Sequence, residues 1–126
     1  MITVKIVRDT KRRITGMFMK GHAGYARHGK DIVCSSASTL IYTLANSIET
    51  ICGVAAEDIS RIVPGNDVMA EVIIPYDRIK DEGGKDRASV VAETIYTGFI
   101  TLASATNSNG KKYIEVKEET EKHTEV

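Results

Sequence analysis

The chain has 126 residues and a mass of 13.8 kDa, the size of one ordinary domain, and its 42% of hydrophobic residues can build a core without disulfides or metal. Seventeen Lys and Arg balance seventeen Asp and Glu, which argues against a dedicated binder of long polyanions. Two cysteines, no signal-peptide pattern behind Met1 and no uninterrupted apolar run near 18 residues lead us to expect a cytoplasmic protein that makes no use of a membrane.

Residues 2–7 alternate Ile2, Val4 and Ile6 with Thr3, Lys5 and Val7, the period of a strand with one buried face. A polar cluster from Arg8 to Arg13 separates it from a second apolar run, Ile14 to Met19, so an antiparallel hairpin opens the chain. Gly21, Gly24 and Gly29 then punctuate a polar stretch with His22 and His28, which reads as a mobile loop. Ala37, Leu40, Ile41, Leu44, Ala45, Ile48, Ile51 and Cys52 recur at steps of three and four and predict an amphipathic helix ended by Gly53. Asp31, Ser35 and Ser36 are all competent to cap its start.

A second hairpin is expected over Ile59–Val63 and Val68–Ile74 around a turn at residues 64–67. A charged stretch from Asp77 to Asp86 precedes a second helical stripe, Ala88 to Ala103, and Asn109 with Gly110 marks a stop before a last strand, Tyr113 to Val116. The order ββαββαβ predicts an α+β, two-layer domain over residues 1–117, its mainly antiparallel sheet carrying two helices on one face. Residues 118–126 are expected to be a frayed polar tail.

Chemistry concentrates between residues 22 and 34. His22 and Cys34 are twelve positions apart, close enough for the intervening chain to bring them together. A thiol attacks only as the thiolate, and bringing its ordinary pKa of ~8.5 down to ~7 requires about 2 kcal/mol. A helix amino end supplies ~0.3–1 kcal/mol to a nearby anion, so a histidine is needed for the remainder and for proton return to the leaving group. The amides of Cys34 and Ser35, at the helix start, are candidate oxyanion donors. Asp31 could orient the imidazole or simply cap the helix, and Ser38 could bond the loop or the preceding turn. The plain alternative for Cys34 is a small packed residue; Cys52, on the apolar stripe, is expected to be that and inert.

Other chemistries fit less well. His22, His28 and Cys34 recur every six residues, which matches no common zinc spacing, so no metal is expected. Gly24, Gly29 and Lys30 begin a phosphate loop, but Asp31 stands where a hydroxyl residue belongs. Residues 1–20 hold Lys5, Arg8, Lys11, Arg12, Arg13 and Lys20 against Asp9 alone, so a non-enzymatic ribosome-assembly or RNA-binding module built on this basic hairpin is the other reading.

The run Gly21-His22-Ala23, with Gly29-Lys30-Asp31-Ile32-Val33-Cys34, Ser38 and Leu40, closely resembles the signature of the ribosomal-processing cysteine proteases called Prp. Ser35 and Ser36 stand where the family is expected to carry small, often apolar residues, and the acidic tail is an individual feature. The resemblance implies a cytoplasmic bacterial endopeptidase that removes a short N-terminal extension from large-subunit ribosomal protein twenty-seven. The cut falls after paired aromatic residues and before a small one. By the same resemblance Cys34 is the nucleophile, His22 the general base, and Asp31 and Ser38 supporting positions. It further implies no cofactor, a homodimer, and a loop between His and Cys that rearranges around substrate, in keeping with Gly21, Gly24 and Gly29.

Overall fold

The structure, a computed structural model, describes residues 1–21, 31–63, 68–108 and 110–121. Seven main elements follow the expected order: β1 (Ile2–Arg8), β2 (Ile14–Gly21), α1 (Ile32–Cys52), β3 (Ser60–Val63), β4 (Val68–Ile73), α2 (Glu82–Thr106) and β5 (Ile114–Thr120). The strands form one sheet in the order β3-β4-β2-β1-β5. The pairings β1 with β2, β2 with β4 and β3 with β4 are antiparallel, while β5 runs parallel to β1. The domain is therefore the α+β, two-layer, mainly antiparallel architecture that the order of elements predicts.

Period-two alternation holds along β1 and, beyond the irregularity at which Val7 pairs with Gly16 but Arg8 with Ile14, along the rest of β2. Ile2, Val4 and Ile6 of β1 and Ile14, Met17 and Met19 of β2 are buried in one core with Val33, Ala37, Ile41, Leu44 and Ile48 of α1 and Ala88, Ala92, Ile95 and Phe99 of α2. Burial of this kind contributes roughly 25 cal/mol per Å² of apolar surface, the main term holding the two layers together. The helices pack closely because Gly98 of α2 lies under Leu40 of α1: a Cβ there would come to 2.6 Å from Leu40 Cδ2. The opposite face of the sheet is open, with the Lys5 ammonium 5.0 Å from the centre of the Phe18 ring and 3.8 Å from Glu119.

Two boundaries differ from the sequence reading. The charged stretch before the second helix is partly helical: Asp81 caps α2 by accepting from the Gly84 amide, so the helix begins at Glu82. The polar end of the chain is also not frayed from residue 118. β5 continues to Thr120, paired residue by residue with β1 from Ile2 against Ile114 to Arg8 against Thr120, and the Glu121 amide donates to the Arg8 carbonyl at 2.7 Å. The cause is Arg8, whose buried guanidinium meets Glu118 at 2.7 Å and Glu93 of α2, and donates to the Arg12 carbonyl at 2.8 Å. The two carboxylates hold the Arg8 pKa above its ordinary value against the opposing effect of burial. Residues 122–126, the remainder of the expected tail, lie outside the described residues.

Candidate active site

Asp31 settles which residue starts the first long helix. Its backbone is extended (φ −81°, ψ 101°) and its carboxylate Oδ1 accepts from the amides of Val33 at 3.0 Å and Cys34 at 3.1 Å. Ile32, Val33 and Cys34 are thus the first three helical residues, and Asp31 satisfies two amides that the helix itself leaves unpaired. Asp31 is 8% exposed, so this carboxylate lies under cover beside the thiol-bearing residue.

Cys34 is half-buried and packs against the edge of the core. Ser35 is exposed; its amide donates to the Asp31 carbonyl at 3.1 Å and its hydroxyl to the same oxygen at 3.2 Å. This corrects the expectation that the Cys34 and Ser35 amides stand open for an oxyanion. The first is held by the Asp31 side chain and the second makes the first bond of the helical ladder. The spacing carried the signal, since an acid at a helix cap reaches the amides two and three residues on, and Cys34 is three residues on. Ser38, one turn further, is half-buried on the Cys34 side of the helix, and its hydroxyl has no bonded partner among the described residues.

Gly21 is not part of a loop. It is the last residue of β2, paired with Val68, at φ +96°, and a Cβ would collide with the Met1 carbonyl oxygen. A non-glycine residue there meets both a left-handed backbone and a fixed neighbour. Gly24, Gly29, His28 and the candidate base His22 lie outside the described residues. Gly21 and Asp31 mark the two ends between which the His22 segment runs.

Cys52, the last residue of α1, has its Sγ 3.5 Å from the Gly84 carbonyl oxygen. Burial pushes its thiol pKa up, and the Arg87 charge only partly offsets this. On the open face, a groove of about 420 Å³ is lined by Thr3, Lys5, Phe18, Lys20, Glu71 and Lys117, across the sheet from the helices and hence from Cys34. The basic hairpin is partly neutralised at home: Arg8 is paired with Glu93 and Glu118, Arg13 with Asp9 at 3.0 Å, and Lys5 with Glu119.

A half-buried thiol on the first turn of a long helix in a two-layer α+β domain is compatible with nucleophilic thiol chemistry, and comparison with known proteins supplies both the class, the cysteine proteases, and the particular family. A family profile described as cysteine protease Prp matches residues 1–114. The ribosomal processing cysteine protease Prp of Staphylococcus aureus (strain Mu50) is 27% identical over 111 residues, covering 86% of this chain and 94% of that protein. Among solved structures, SMU.848 from Streptococcus mutans superposes with a TM-score of 0.72 at 21% identity, covering 96% of both chains. The S. aureus Prp in complex with a covalently linked product peptide superposes with a TM-score of 0.67 at 24% identity, over 94% of this chain and all of that one. The chain belongs to the cysteine protease Prp family.

Proposed function

We propose that the protein is the endopeptidase that removes the N-terminal extension of large-subunit ribosomal protein twenty-seven, cutting after paired aromatic residues and before a small one. The observation that carries this reading is the family match over residues 1–114, which spans the Gly21-His22 and Asp31-to-Cys34 signature. A relative of S. aureus is named for ribosomal processing, and its structure with a covalently linked product peptide supports a route through a bond between enzyme and peptide.

In that route Cys34 Sγ adds to the scissile carbonyl while His22 takes the thiol proton. The tetrahedral adduct collapses to a thioester, and the leaving amine takes the proton from His22. Water, deprotonated by His22, then attacks the thioester; the peptide leaves as a carboxylic acid and Cys34 recovers its proton. No step calls for a metal or cofactor. The reading places the protein in the cytoplasm, where ribosomes assemble and both free thiols stay reduced. The basic-hairpin alternative loses force, because Lys5, Arg8 and Arg13 are engaged by carboxylates. The deciding experiment presents the intact ribosomal protein. The wild type and Cys52→Ala are expected to shorten it, and Cys34→Ser to bind without shortening it. Cleavage that survives Cys34→Ser, followed by mass spectrometry, removes the proposed nucleophile.

The same proposal includes a homodimer, and the outer helix face supports it. No charged residue occurs from Val33 to Ile48 of α1 or from Thr94 to Thr106 of α2. Thr39, Thr43, Thr94, Thr97 and Thr101 turn their hydroxyls onto carbonyls four residues earlier, which leaves methyl groups at the surface beside Val90, 65% exposed. A twofold interface brings a patch against its own copy, and a patch without charge meets no like-charge repulsion there. Thr97→Glu with Thr101→Glu is expected to halve the solution mass measured by light scattering while leaving the helical circular dichroism intact; an unchanged mass rules out this face.

A further inference from the structure

The open face of the sheet carries a row of side chains that the protease chemistry leaves unused. Strand register sets Glu71 of β4, Phe18 of β2, Lys5 of β1 and Lys117 of β5 side by side, and with strands about 4.8 Å apart the row is roughly 14 Å long. These four residues, with Thr3 and Lys20, line the groove of about 420 Å³, a volume within the ~300–1,000 Å³ usual for small-molecule sites. The groove lies across the sheet from α1, so an inference about it goes beyond the protease reading and does not depend on it.

The chemistry of the row selects its occupant. Lys5 and Lys117 stand directly opposite each other, and like charges so placed repel. Lys20 and Lys117 make no ion pair among the described residues, while Lys5 meets Glu119 at 3.8 Å with both side chains largely in solvent, a contact of little strength. An anion between these ammonium groups turns repulsion into attraction. Beside them the Phe18 ring lies over Gly16, where a Cβ would come to 3.0 Å from Cε2 and 3.3 Å from Cζ of the ring. The ring is thereby held as a half-buried platform, with the Lys5 ammonium 5.0 Å from its centre. A planar base stacks on such a ring more strongly than an exposed ammonium is held there, which frees Lys5 for a phosphate. On the far side of Phe18 from Lys5, the Glu71 carboxylate is an acceptor for an exocyclic amine on the base edge.

We propose that this groove binds one free nucleotide, a nucleoside di- or triphosphate with an amino-bearing base, its base on Phe18, its amine toward Glu71 and its phosphates among Lys5, Lys20 and Lys117. A strand of RNA fits less well. Glu115 and Glu119 share the face of β5 on either side of Lys117, so the phosphates of a longer chain would meet carboxylates.

The test is isothermal titration calorimetry of the full chain. One ATP per chain is expected, with adenosine and inorganic triphosphate each about tenfold weaker or more, because each offers only part of the contacts. Lys20→Ala with Lys117→Ala is expected to weaken ATP about tenfold, and Phe18→Leu, which keeps an apolar side chain, by a similar factor. CTP and UTP share a ring and differ at the position of the amine, so CTP is expected to bind about fivefold tighter, a preference that Glu71→Gln should erase. Both lysines are exposed, which keeps their replacement from disturbing the core, and far-ultraviolet circular dichroism checks the fold of Phe18→Leu. No binding of ATP at millimolar concentration overturns the proposal, as does an ATP affinity unchanged in the folded lysine variant. Triphosphate that binds as tightly as ATP also overturns it, since that is ion pairing without a base site. An affinity for oligocytidylate that rises with its length overturns it as well and assigns the face to RNA.

Discussion

The two ends of α1 carry the two thiols, and the same residue type on the same helix is prepared for opposite fates. Cys34 sits on the first turn, its amide held by Asp31, shortly after a stretch of sequence, residues 22–30, whose formally charged residues are Arg27 and Lys30. Cys52 closes the last turn, its sulfur against the Gly84 carbonyl, with its pKa raised by burial. Both are half-buried, so exposure does not separate them. The polar surroundings do. A carboxyl end with its partial negative charge and a facing carbonyl oxygen disfavour a thiolate, and among the described residues the Arg87 charge alone works against them. At the amino end Cys34 has instead the positive end of the helix dipole and the Asp31 cap on its amide.

The sharpest way to break this contrast is to measure both thiols together. In the wild type at pH 7, Cys34 is expected to be alkylated at least roughly tenfold faster than Cys52, in line with the dependence of thiol reactivity on thiolate fraction. His22→Ala should slow Cys34 and leave Cys52 unaffected. Peptide mapping by mass spectrometry reads both rates in one sample. Equal rates would mean that the amino end of α1 has no chemical advantage, and Cys34 would become a packing residue like its counterpart.

Much of this contrast was legible in the sequence, and where it was not the reason is physical. Periodicity placed Cys52 on the helix, Cys34 within about a turn of its start and Gly53 at its end, because apolar spacing and a left-handed cap are local properties. The choice among Asp31, Ser35 and Ser36 as cap was not local: it depends on Val33 and Ala37 pointing into the core, which fixes the rotation of the helix. The occupied Cys34 amide follows from that choice. The run Glu118 to Thr120 read as part of a loose tail because charge usually marks solvent. It is strand because Arg8, 110 positions away from Glu118, supplies a buried partner, and no window along the chain contains both. The parallel pairing of β5 with β1 is invisible for the same reason. The Prp signature, by contrast, is contiguous enough that residues 21–40 were sufficient to expect the family.

The smallest effects come from the caps themselves, and they sharpen the comparison by separating structure from charge. Asp31→Ala removes two hydrogen bonds at the amino end and is expected to cost about 1 kcal/mol, within the usual ~0.5–2 for a lost cap. Gly53→Ala strains the carboxyl end, where φ is +69°, and is expected to cost about 1 kcal/mol as well, since a Cβ there meets no neighbour within 4 Å and only the backbone penalty remains. The two variants should therefore have similar urea midpoints and the same denaturant slope. Their thiols should not behave alike. Gly53→Ala alters neither charge nor hydrogen bonding at Cys34, so its labelling rate there should match the wild type, whereas Asp31→Ala, which takes the carboxylate off the Cys34 amide, should change it. A Gly53→Ala protein whose Cys34 labelling shifts as far as that of Asp31→Ala would show that loosening the helix at either end is enough, and that the Asp31 cap acts on Cys34 through stability alone.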